Sequence, residues 1–127
     1  MVNETVKLQK EGTATIEIKM AFSGLIEAEY TAKLMLFLNR IKEESGIFPD
    51  AEPDIFKLPG EEKTNINRRF ELNTTLGAAD PANFPDWSIS LDIIRKGTPD
   101  TTIKTISDEG KFTGNLADSK IVVHFSS

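Results

Sequence analysis

Few side chains in this sequence are suited to chemistry, and the single histidine, His124, comes first among them. A serine–histidine–acid relay, a histidine general base or a histidine-ligated metal would each have to use it. It falls in a segment whose alternation groups it with Lys120 and Val122. A lone histidine in such a place is usually a surface residue, so no catalytic residue is assigned. Cysteine is absent, which excludes a disulfide framework, a thiolate metal site and a cysteine nucleophile.

Carboxylates are plentiful. Asp50, Glu52 and Asp54 recur at every second position, a spacing that can aim several oxygens at a hard cation such as calcium. The glycine and the distal glutamate of a helix–loop–helix calcium site are missing, however, and Pro49 and Pro53 stiffen the segment. Asp108, Glu109 and Asp118 would need an approach in space that spacing cannot supply. A solvated acidic surface is the expectation, with no metal and no cofactor. Gly110 and Gly114 stand alone and form no phosphate-cradling loop.

The other residues able to hold a ligand are aromatic. Phe48, Phe56 and Trp87 could line an apolar pocket, and Trp87 could stack on a ring. Trp87 also opens a run in which Ile89, Leu91 and Ile93 alternate with polar residues, the pattern of a core strand.

These residues must be positioned by elements that the hydrophobic period suggests. Val2, Val6 and Leu8 predict a first strand, joined through Lys10-Glu11-Gly12 to a second over Ala14–Phe22 as an amino-terminal hairpin. From about residue 25 to 45, Tyr30, Leu34, Phe37, Leu38 and Ile41 recur at helical spacing, with Ser23 or Gly24 as cap and Gly46 as stop. Residues 46–64 keep no period and carry three of the six prolines, so they are expected to form an ordered loop over the core. Strands are then predicted around Ile66–Leu76, Trp87–Ile93, Thr102–Ser107 and Lys120–Phe125.

The expected architecture is therefore a single α+β domain over 1–127. One amphipathic helix would pack on a curved, mainly antiparallel sheet of five to six strands, in β-β-α-β-β-β(-β) order. That helix would bury Leu34, Phe37, Leu38 and Ile41 against Ile16, Ile18, Phe70, Leu72, Ile89, Leu91 and Val123. Leu36 would then lie on its outer side, with Met35 on the flank.

A net charge of −5 disfavours nucleic acid, whose phosphates require a basic surface. The amino-terminal residues lack the apolar core of a signal peptide and no apolar run reaches membrane-spanning length, so a cytoplasmic protein without a membrane partner is expected. The scarcity of catalytic groups leans away from an enzyme. It points to a non-catalytic interaction module, a subunit, adaptor or inhibitor that binds a protein partner or itself, with Met35, Leu36, Arg40 and Ile94 as contact residues. The alternative is a small-ligand protein whose pocket lies between helix and sheet beside Phe48, Phe56 and Trp87, roofed by residues 46–64.

Overall fold

The computed structural model describes residues 1–24, 26–48 and 54–127, and over these the chain is built almost wholly from strands. In chain order they are β1 (Val2–Lys7), β2 (Ile16–Ser23), β3 (Ile26–Leu36), β4 (Asn39–Phe48), β5 (Ile55–Lys57), β6 (Arg69–Ala78), β7 (Asp86–Arg95), β8 (Thr101–Lys111) and β9 (Leu116–Ser126). One 3-10 turn, Glu62–Asn65, interrupts the series. The strands form two sheets, ordered β1-β9-β6-β3-β4 and β5-β2-β7-β8.

Alternation decides which residues face inward. Ile26, Ala28, Ala32 and Leu34 of β3 are buried, and their cross-strand partners Leu76, Leu72 and Phe70 on β6 are buried with them. Ile121, Val123 and Phe125 of β9 continue this layer. The facing layer comes from Ile16, Ile18 and Met20 of β2 and from Trp87, Ile89, Leu91 and Ile93 of β7. A single hydrophobic cluster joins the two sheets as a sandwich. It contains aromatic pairs at Phe22–Tyr30 and Phe22–Phe48, with ring centroids 5.6 and 5.2 Å apart, and at Phe56–Phe70, 5.1 Å apart.

The α+β reading fails: in place of one sheet of five to six strands, the described residues form nine strands in two sheets, and two of the expected elements are wrong as well. The helix at 25–45 does not exist: its described residues form β3 and β4, which pair antiparallel as a hairpin closed by Phe37 and Leu38. The reason is visible in the spacing. Tyr30, Leu34 and Leu38 are four apart, which fits a helical stripe, yet four is also a multiple of two and fits one face of a strand. Ala, Glu, Lys, Leu and Met raise helix propensity here, and pairing of β3 with β6 on one side and β4 on the other overrides it.

The second failure is the amino-terminal hairpin. Strand β1 pairs parallel with β9, with Val2 opposite Ile121 and Val6 opposite Phe125, while β2 belongs to the other sheet. No short-range signal encodes that parallel pair, because its partner lies at the far end of the chain.

The connection from β5 to β6 is tied down by a charge pair between the buried Glu62 and the half-buried Arg95. Glu62 has no solvent exposure; it accepts Arg95 Nε at 2.7 Å, Arg95 Nη2 at 2.8 Å and the Gln9 amide at 2.6 Å. The Arg95 hydrogen bonds hold its carboxyl below the ordinary glutamate range. Gly12 is required beside it, since a Cβ there would meet Glu62 Cδ at 2.8 Å. Asn65, also fully buried, donates to the Pro59 and Glu61 carbonyls and accepts from Arg68. Together these fix the connection between β5 and β6.

Candidate functional site: the tip of the β3–β4 hairpin

Strands β3 and β4 close with Leu36 opposite Asn39, leaving Phe37 and Leu38 as a two-residue turn. Phe37 has φ of 54°. Positive φ at the first central position belongs to the primed turns that suit the twist of a hairpin, and glycine or asparagine normally fills it. A phenylalanine there costs on the order of 1 kcal/mol. Neither residue recovers that cost by burial, for Phe37 is 75% and Leu38 94% exposed.

The apolar surface extends beyond the turn. Ile41 is 39% exposed, and Met35, half-buried, lies across from Arg40 on the outer face. Between Met35 and Lys42 the chain carries Arg40 and Lys42 and no carboxylate, against a net charge of −5 for the whole protein. Arg69 of the neighbouring β6 donates from Nη2 to the Phe37 carbonyl at 3.2 Å and pairs through Nε with Glu71 at 3.3 Å, bracing the turn from the side. Arg40 pairs with Glu43 at 2.5 Å. The tip is thus a braced apolar knob with guanidinium groups at its base.

The long sheet edges, by contrast, are shaped against pairing. On β8, Lys104 and Asp108 oppose the buried Ile93 and Ile89 and so lie on the inward face of an edge strand. Lys104 pairs with Glu4 at 3.1 Å and Asp108 accepts from Ser119 at 2.5 Å. On β4, Lys42 and Glu44 oppose the buried Leu34 and Ala32. Lys42 spans the edge to donate to the Lys57 carbonyl at 2.6 Å, with its ammonium 4.8 Å from the centre of the Phe56 ring. Inward charges at an edge discourage addition of a foreign strand. Among the described residues, Leu38 and Phe37 are with Met1 the most exposed large apolar side chains.

Of the contact residues expected from sequence, Met35, Leu36 and Arg40 are brought together here, with Leu36 half-buried at the base of the turn. Ile94 is not: it lies on β7 in the opposite sheet, paired with Glu17 and Thr102. Phe37, Leu38 and Ile41 were expected inside the fold and lie outside it. Their signal was the polar alternation of Glu27, Glu29, Thr31 and Lys33 before them and of Glu43 and Ser45 after them, which marks two strands with a turn between.

The aromatic ligand set is dispersed. Phe56 is fully buried against Phe70, Phe48 packs on Phe22, and Trp87 is buried with its face against Gly110, where a Cβ would meet the indole at 2.7 Å. With no helix to form a wall, the pocket expected between helix and sheet has no counterpart among the described residues. Asp50 and Glu52 lie outside those residues, and Asp54 accepts the Tyr30 hydroxyl at 2.9 Å. Among the described residues no three His, Cys, Asp or Glu side chains gather as metal ligands. His124 is exposed on β9, between Arg69 and Thr5 on the flanking strands.

The fold and site define a two-sheet β-sandwich carrying an exposed, strained apolar hairpin tip. No family model, no curated protein and no solved structure matches the chain. Among the described residues no helix is long and apolar enough to cross a membrane.

Proposed function

We propose that this protein is a non-catalytic interaction module that engages a protein partner through the Phe37–Leu38 tip. The observation that carries the reading is a bulky apolar residue held at positive φ with three-quarters of its surface in water. Strain and exposure together lower the stability of the free molecule, and backbone outliers that persist in this way concentrate at functional positions. Aromatic residues, methionine and arginine, all present at this tip, are enriched at the centres of protein interfaces. The partner offers an apolar pocket for the two side chains, and acidic groups at its rim would meet Arg40.

The test is a photo-crosslinking amino acid placed at position 38 in the source cell, with the same group at Leu116 as control. Leu116 is 69% exposed and also apolar, so it reports simple stickiness. The reading expects a discrete crosslinked species from position 38 alone. Equal labelling from both positions, or none from position 38, would overturn it.

A further inference from the structure

The outer face of the five-stranded sheet carries a shallow, open trough of about 850 Å3, on a surface distinct from the hairpin tip. Its floor is a run of short polar side chains on adjacent strands: Thr31 lies between Ser45 and Asn73, and Thr75 lies beside Asn73's strand neighbours, opposite Asp118. Longer residues raise a wall along one side, where Lys33 pairs with Glu43 at 3.9 Å and Lys120 with Glu71 at 3.5 Å. The exposed apolar side chains of Met1 and Ile47 stand at the two ends.

The chemistry of the lining restricts what can lie there. Its charged groups are Glu29 and Asp118 against Lys120 and the Met1 amino group, formally neutral, and beside it Lys33 pairs with Glu43 and Glu71 with Arg69. Neither a polyanion nor a polycation finds complementary charge on such a surface. An apolar molecule would strip water from hydroxyl and amide groups without replacing their hydrogen bonds. A neutral molecule bearing many hydroxyls satisfies both conditions, because hydroxyls donate to Asn, Asp and Glu oxygens and accept from Asn, Thr, Ser and Lys. From β9 to β4 the trough crosses three strand spacings, about 14 Å, which suits a chain of about three sugar rings.

We propose that this trough binds a neutral oligosaccharide laid across the strands β9, β6, β3 and β4. Met1 and Ile47 contact the apolar faces of the terminal rings, and the Thr31, Asn73 and Thr75 side chains bond the hydroxyls between them. Sheet-face recognition of this kind leaves the hairpin tip free, so a glycan and a protein partner bind at once.

The experiment is an amide-resolved NMR titration of the full chain with cellotriose, maltotriose and N-acetylchitotriose, each to about 10 mM, enough to occupy even a millimolar site. Saturable shifts at Thr31, Ser45, Asn73 and Thr75 with at least one trisaccharide, and none on β2 or β7, are expected. Asn73→Lys and Thr31→Lys each place a long cation on the exposed floor, and each should weaken binding at least tenfold while leaving the melting temperature unchanged. Leu38→Asp should leave it intact. Absence of shifts with all three sugars, shifts that survive both floor variants, or equal shifts with an uncharged tripeptide would overturn the proposal.

Discussion

Replacing Leu38 by aspartate separates the folding role of the tip from the binding role proposed for it. A leucine side chain contributes about 1.5–3 kcal/mol when fully buried. Leu38 is 94% exposed, so only about a twentieth of that, roughly 0.1–0.2 kcal/mol, is at stake in the free fold. At the specific unfolding entropy of globular proteins, 127 residues shift by about 4 °C per kcal/mol, so the expected change in melting temperature is under about 1 °C. In a complex the same side chain would be buried, and an aspartate in an apolar pocket would add an uncompensated charge. A loss of at least about 2 kcal/mol follows, which is roughly a thirtyfold weakening. The assay pairs thermal melts with quantitative affinity capture from the source cell, comparing Leu38→Asp, Leu116→Asp and the parent chain. If Leu38→Asp retains every protein the parent retains, the docking argument is refuted. A melting temperature lowered by several degrees would refute the structural premise instead, because it would mean Leu38 is packed in the fold.

Three further outcomes follow from the packing. Glu62 has its carboxyl held below the ordinary glutamate range by Arg95, so the pair contributes stability at neutral pH that is lost as pH falls below about 4 and through the folded-state value. Urea unfolding of Glu62→Gln should accordingly show a flatter acid limb than the parent, and an identical limb would count against the pair. Arg95→Ala leaves the buried Glu62 carboxylate without its cation and should cost about 3 kcal/mol at neutral pH, read by the same denaturation. Gly110→Val drives a branched side chain into the Trp87 indole and should cost about 1–3 kcal/mol, with a changed tryptophan emission reporting the displaced ring.

Much of the sandwich can be read from alternation alone. Phe70, Leu72, Thr74 and Leu76 share one face, as do Trp87, Ile89, Leu91 and Ile93, and as do Ile121, Val123 and Phe125; the structure buries each set. These segments have polar residues at every second place and no competing period. Strand β4 could not be read that way, because its inward face carries Lys42, Glu44 and Gly46 while Ile41 and Ile47 face out. Its pattern is inverted, since an edge strand must repel foreign strands and since the aliphatic stem of Lys42 can cover the Phe56 ring. Strand β8 was legible over Thr102–Ser107 only, for Asp108-Glu109-Gly110 reads as a turn, whereas Gly110 continues the strand because Trp87 occupies the space a side chain would take.

The amino-acid sequence on its own determines the charge, the absence of thiol chemistry, and which side of most strands is buried, because these depend on residue type and a two-residue period. It does not determine which strands meet. The parallel pairing of β1 with β9, the division into two sheets and the turn that places Phe37 and Leu38 in water arise from contacts between residues far apart in the chain. Four-residue spacing satisfies helix and strand alike, and only the neighbours that β3 finds on both sides choose between them.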